Sequence, residues 1–227
     1  MSARVFENVY EILSVQAQER PDAVALEDAR DLRVSYGQLF AKVGALIDVL
    51  HGLGVGRGAR VAIVLPNGVE MAITLLGVTC VATAVPLNPV YRREEYRAYF
   101  DEIRVGFLLT RKGFQSEARA VASEKGVPIL ELSSDGKLEL TSDVRRPAGS
   151  GLAERGDVAL VLLTSGSTGR SKKVPLTHRN ICVSTRDICR TLALGPADRC
   201  LCMWEQFHVG GLVDLLLTIP SLILAIA

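Results

Sequence analysis

Apolar positions along this chain follow two rhythms, and the changes between them outline the elements. Val9, Ile12, Leu13 and Ala17 recur at helical spacing over residues 6–17, and Arg20-Pro21 closes that segment. Leu39, Phe40, Val43, Leu46, Ile47 and Leu50 mark one face of a second helix. Ser35 suits its N-cap, and Gly52 or Gly54 its stop. Between the two helices, residues 23–26 predict a short strand and residues 28–31 a polar turn. From Arg60 the order becomes strand, helix, strand, helix: 61–65, 69–82, 83–87, 93–103, 106–110, 114–124 and 128–132. Continuous apolar strands alternating with helices predict an α/β fold of mostly parallel sheets covered by helices.

Residues 133–157 break that rhythm with Ser-Ser-Asp-Gly, Arg-Arg-Pro-Ala-Gly-Ser-Gly and Glu-Arg-Gly-Asp, which are turn-rich and polar. The expected organisation is an α/β block at 1–132, a connector at 133–156 and a further α/β segment at 157–227. In that last segment, 158–163 predicts a buried strand, 177–194 a helix capped by Thr177, and 198–203 another strand. The stretch from Asp214 to Ala227 is apolar but interrupted by Thr218, Pro220 and Ser221, and it falls short of the ~20 residues of a membrane span. It reads as a core helix with the start of a strand whose neighbours are absent from the sequence. Such a tail favours association with a partner or a second copy.

Composition narrows the field further. A net charge of +1 over 227 residues supplies no global field for nucleic acid. Hydrophobic residues at 48% and charged residues at 22% are ordinary for a globular chain. Residues 1–7 lack the apolar core of a signal peptide, and five cysteines without an export signal suggest reduced thiols and a cytoplasmic setting. Cys200-x-Cys202 with Cys189 and His208 lacks paired zinc knuckles, so the thiols read as small core residues and no metal site is expected. Gly52, Gly54, Gly56 and Gly58 follow a helix and precede a strand, the reverse of a dinucleotide-binding loop, and read as a turn.

The candidate chemistry lies just after the strand at 158–163. Thr164, Ser165, Gly166, Ser167, Thr168 and Gly169 are followed by Arg170, Ser171, Lys172 and Lys173. Glycines let backbone N–H groups approach an anion, hydroxyls donate hydrogen bonds and lysine adds positive charge, which suits a polyphosphate. A flexible Ser/Gly linker has the same composition. The strand before and the capped helix after favour the anion loop. It is not the common nucleotide loop, because Arg170 and Ser171 separate Gly169 from Lys172.

The order Thr-Ser-Gly-Ser-Thr-Gly-x-x-Lys resembles the signature of the adenylate-forming superfamily: acyl-CoA and aryl-CoA synthetases, peptide-synthetase adenylation domains and luciferases. Ser35-Tyr36-Gly37-Gln38-Leu39 and Ala84-Val-Pro-Leu-Asn88 resemble two further elements of that family. Phe207, His208, Gly211 and Leu212 match its Pro-Leu-Phe-His-x-x-Gly-Leu signature. Taken alone, His208 reads as a structural histidine; its place downstream of the loop, in the family's order, points to function. Four positions depart: Ser171 and Lys173 stand where the family has proline and glycine, and Glu205 and Gln206 stand where it has proline and leucine.

The resemblance implies the first part of the large N-terminal domain of an adenylate-forming enzyme. It implies ATP-dependent activation of a small-molecule carboxylic acid as an acyl-adenylate, then transfer to coenzyme A, with Mg²⁺ bridging the phosphates. Thr164 to Gly169 and Lys172 would hold the β- and γ-phosphates, and His208 would line the acyl and thiol path, making Lys172 and His208 the catalytic candidates. An adenylation domain loading a carrier protein shares every visible feature. So does a truncated chain that binds nucleotide or a partner without turnover, because the family's adenine, ribose and C-terminal lysine segments have no match here.

Overall fold

The computed structural model describes residues 5–133, 138–141, 149–164, 172–218 and 223–226. After helix α1 (Val9–Glu19), strand β1 (Val24–Asp28) turns back antiparallel into β2 (Arg33–Ser35). Helix α2 (Tyr36–Gly52) starts from a capping box in which Ser35 and Gln38 satisfy each other's backbone N–H groups. Then β3 (Arg60–Val64), α3 (Val69–Thr79), β4 (Thr83–Pro86), α4 (Arg93–Ile103), β5 (Phe107–Arg111), α5 (Glu117–Glu124) and β6 (Ile129–Leu132) follow in the predicted alternation. Helix α5 starts later than expected, because Ser116 caps it after a turn at Gly113 with positive φ.

Strand β7 (Leu138–Leu140) lies inside the stretch read as connector and pairs antiparallel with β6. Strands β8 (Val158–Thr164) and β9 (Lys172–Thr177) complete a seven-stranded sheet of order β7-β6-β5-β3-β4-β8-β9. Its five inner strands are parallel and each edge strand is antiparallel. Helix α6 (His178–Thr191) leads to β10 (Arg199–Cys202), α7 (Val209–Thr218) and β11 (Ile223–Ile226). A second sheet has the order β10-β11-β1-β2.

Alternation along β3 explains the layering. Val61, Ile63 and Leu65 join a core with α1, α2, α3 and the second sheet's Leu26 and Val34. Ala62 and Val64 face the other way, with Tyr96, Phe100 and Ile103 of α4 and Val121 of α5. Helices α2 and α3 thus share one core with both sheets, and α4 and α5 cover the outer face of the larger one. Leu39, Val43 and Leu50 of α2 are fully buried, each contributing about 1.5–3 kcal/mol relative to exposure.

Two features tie the segment after 148 to the rest. A Cβ on Gly149 would meet the Val55 carbonyl oxygen at 2.1 Å, so only glycine fits against that turn. Arg57 donates from Nε and Nη2 to both carboxylate oxygens of Asp157, at 2.8 and 3.2 Å. That pairing holds the Asp157 carboxyl below its usual range. The apolar tail corrects one expectation. Its strand β11 finds neighbours within the chain, being parallel to β1 on one edge and to β10 on the other.

Candidate functional site

Strand β8 is an inner strand of the larger sheet, beside β4, and its Ala159 and Leu160 are fully buried. Its last residue, Thr164, is exposed and stands opposite Lys172, the first residue of β9. Antiparallel pairing of the two strands closes a hairpin whose connecting residues are those read as the anion loop. Thr164 Oγ1 lies 3.5 Å from the Lys172 carbonyl oxygen, which accepts from it. Ser165, Gly166, Ser167, Thr168 and Gly169 lie outside the described residues. The structure therefore brings together the two ends of the predicted phosphate site, Thr164 and Lys172.

Lys173, the departure from the family's glycine, points away from that pair, as neighbouring residues on a strand do. Its Nζ donates to the Glu102 carbonyl oxygen at 3.0 Å, near the C-terminus of α4, and lies 3.6 Å from the Glu102 carboxylate. A cation there matches the negative end of the helix. The extra charge is taken up by α4 and does not crowd Lys172.

After β9, Thr177 caps α6 through a box with Asn180. The next residue, His178, is fully buried; its backbone N–H donates to the Asp157 carbonyl oxygen, and its Nδ1 accepts from the Val9 N–H at 3.3 Å. Burial depresses the imidazole's pKa, so it is neutral and structural. It locks α1 and α6 together behind the hairpin.

The second motif lies in the loop from Cys202 to α7. His208 is exposed, its N–H donates to the Glu205 carbonyl oxygen at 2.9 Å, and its own carbonyl accepts from Leu212 at the start of α7. The Phe207 and His208 rings sit 5.1 Å apart. Gly211 is required here, since a Cβ would meet the Glu205 carbonyl oxygen at 2.6 Å.

The residue that fixes this loop is Gln206, which is fully buried. Its backbone N–H donates to Asn67 Oδ1 at 2.9 Å, and its Oε1 accepts from the Gly68 N–H at 2.9 Å. These bonds span 139 and 138 residues and join the loop after β10 to the turn after β3. Among the described residues Gln206 Nε2 has no hydrogen-bond partner. A buried donor left unpaired costs about 1–3 kcal/mol.

The turn after β3 and the end of β8 lie at the carboxyl edge of parallel strands, with β4 between them. At the spacing of neighbouring strands, the carboxyl ends of β3 and β8 are roughly 10 Å apart. The hairpin ends and the His208 loop therefore share the edge at which open α/β sheets bind ligands. Two cavities, of about 510 and 890 Å³, are lined by none of Thr164, Lys172 or His208, although Lys173 borders the first and Asn67 and Gly68 border the second.

The thiols take no part. None of the five is in a disulfide, and burial pushes Cys182, Cys200 and Cys202 up to about 11, which keeps them protonated at neutral pH. Among the described residues no group of three or more His, Cys, Asp or Glu is placed to hold a metal, and no helix is long and apolar enough to cross a membrane. Sequence reasoning noticed Gln206 only as a departure, and nothing in the pattern pointed to Asn67.

Known proteins resemble this chain in sequence and in fold. The family model of AMP-binding enzymes matches residues 13–221. The oxalate–CoA ligase of Saccharomyces cerevisiae is 33% identical over 224 residues, an alignment that covers 83% of this chain and 41% of the relative. The sulfoacetate–CoA ligase of Cupriavidus necator is 30% identical over 217 residues, covering 92% of this chain and 42% of the relative. The crystal structure of ATP-bound MatB from Rhodopseudomonas palustris superposes with a TM-score of 0.82 at 26% identity, over 100% of this chain and 45% of that one. The chain thus spans about two fifths of the length of the curated relatives it matches.

Proposed function

The chain belongs to the family of AMP-binding enzymes, and from that premise we propose that it is the ATP-holding part of an acid–CoA ligase. The reading is carried by one observation: Thr164 and Lys172 stand face to face at the base of a hairpin, on the same carboxyl edge as the His208 loop.

In this reading the Thr164 and Lys172 side chains, with donors from Ser165, Gly166, Ser167, Thr168 and Gly169, hold the β- and γ-phosphates of ATP. The carboxylate attacks the α-phosphorus, the bond to the β-phosphate oxygen breaks, and pyrophosphate leaves with its charge matched by Lys172. A thiol then attacks the acyl carbonyl carbon and AMP departs. His208, exposed on its loop, lines the side from which acid and thiol approach. Coenzyme A is favoured over a carrier protein as acceptor, because the relatives are CoA ligases. Their names specify short acids that bear a second acidic group, and the acid proposed here is of that kind.

Magnesium would travel with the nucleotide. The described residues offer it no ligand set of their own, and no step above is routed through it. Residues 1–132 and 157–227, joined through 133–156, are taken as parts of one large domain acting in the cytoplasm. Association of copies through the stretch from Asp214 to Ala227 is read by sedimentation velocity across concentration, where a monomer removes it from the proposal.

The test is ATP binding by titration calorimetry. Lys172→Ala is expected to weaken the affinity by about 10-fold or more, the effect of losing a charge-assisted hydrogen bond, without lowering the melting temperature. Equal affinity in chain and variant, or no ATP binding by the chain, overturns the reading.

A further inference from the structure

Four buried polar atoms among the described residues have no hydrogen-bond partner, and three of them, on His51, Arg93 and His178, belong to helices. The fourth, Gln206 Nε2, is on the loop that carries His208. Its orientation is settled by chemistry. The Gly68 N–H can only donate, so the Gln206 atom 2.9 Å from it is the acceptor Oε1. The NH₂ group is therefore directed away from Gly68. With its backbone N–H bonded to Asn67, the side chain is held at both ends and has no freedom to turn the amide toward water. A side chain this constrained, with its donor unsatisfied among the described residues, is arranged to meet an acceptor that those residues do not provide.

We propose that the Gln206 amide N–H donates to a second oxygen-bearing group on the carboxylic acid, which makes Gln206 a specificity-determining residue. The inference rests on the ligase reading and deepens it. Leucine, the residue usual in the resembling family at this position, offers no donor. A wall that is apolar there accepts any acid that fits, whereas a buried amide rejects an acid that leaves it unpaired. The charged polyphosphate is matched by the ammonium of Lys172, and a neutral amide on the other loop suits a carboxylate or sulfonate tail. Asn67 acts at one remove as a positioning residue, because it holds the main chain of the loop that presents this amide.

The experiment is calorimetric titration of the chain, saturated with a non-hydrolysable ATP analogue, with succinate and with butyrate, two acids of equal carbon count. The chain is expected to hold succinate about 10-fold or more tighter than butyrate, the worth of one hydrogen bond to a charged group. Gln206→Glu keeps an acceptor for the Gly68 N–H and removes the donor, and Gln206→Leu removes both. Each variant is expected to lose the preference while still binding the ATP analogue. A preference unchanged in both variants, or absent from the chain itself while the analogue binds, overturns the role of Gln206 alone. Failure of the chain to bind the analogue overturns the ligase reading and this inference with it.

Both variants alter a buried position, so a measurement on the unaltered chain stands beside them. In glutamine-selective ¹⁵N spectra, the side-chain amide pair of Gln206 is expected to shift with succinate and to stay in place with butyrate. A pair unmoved by succinate overturns the proposal whether or not the variants fold.

Discussion

Two loops stand at the same carboxyl edge and are held there by different means. The hairpin of β8 and β9 is secured by main-chain pairing from Val158↔Thr177 to Thr164↔Lys172, over a buried base of Ala159, Leu160 and Leu162. Its ends are exposed, and beyond that apolar base and the Lys173 bond to Glu102 its side chains add little to its position. The loop after β10 is secured by side chains: Asn67 and Gln206 bond across the boundary between the two sheets. The pairing within the first joins neighbours in sequence, whereas the second exists only once both sheets are in place. In the proposed reading, main-chain anchoring suits the loop that holds phosphate, and a buried side chain suits the loop that selects the acid.

The largest effect expected from breaking this comparison comes from Leu160→Ala. It empties the buried base of the hairpin and is expected to cost about 2–5 kcal/mol in urea unfolding. A loss well under that range would mean that the hairpin is not integrated into the core.

Asn67→Ala comes next, at about 1–3 kcal/mol, because it leaves the buried Gln206 N–H without its acceptor. Its effect is expected to be local. Amide exchange is expected to quicken over residues 203–208 and to stay unchanged over 172–177. Equal acceleration in both would erase the distinction between the loops.

Acidification tests the hairpin side through His178. Burial lowers the folded-state pKa of this imidazole from its ordinary value of 6.5. The unfolded chain therefore takes up a proton that the folded chain refuses. Stability is fully present above 6.5 and falls as pH drops from there toward the lowered folded value. One proton limits the slope to about 1.4 kcal/mol per pH unit. Urea midpoints at about pH 7.5 and about pH 5.5 are expected to differ more in this chain than in His178→Asn, whose side chain does not titrate there. The smallest effect is expected from Lys173→Ala. Its bond to the end of α4 is half exposed and contributes less than about 1 kcal/mol, and thermal unfolding reads the difference.

The legible parts of this molecule are those that depend on near neighbours. Helix α4 runs from Arg93 to Ile103 as its periodicity predicts, and the caps at Ser35 and Thr177 stand where the sequence places them. The hairpin ends Thr164 and Lys172 were named by a local motif. What escaped is non-local. The three residues of β7 carry too short a pattern to mark a strand, and they are one only because β6 lies beside them. Lys173 shows as a cation on the page, but not that the end of α4 waits for it. Gln206 shows as a departure from a motif, yet its partner lies 139 residues earlier, and one hydrogen bond at that distance leaves no rhythm to detect.

Strand β11 carries a consequence for biosynthesis. It sits between β1 and β10, and Leu26 is paired with Leu224. A ribosome adding roughly 5–20 residues per second takes on the order of 10–40 s to travel between those two leucines. Through that interval the β1–β2 hairpin of the nascent chain carries a bare edge, open to any other extended polypeptide in reach. Four residues made about two hundred positions later cover it, so the smaller sheet is sealed after the larger one and is exposed to mispairing for longer.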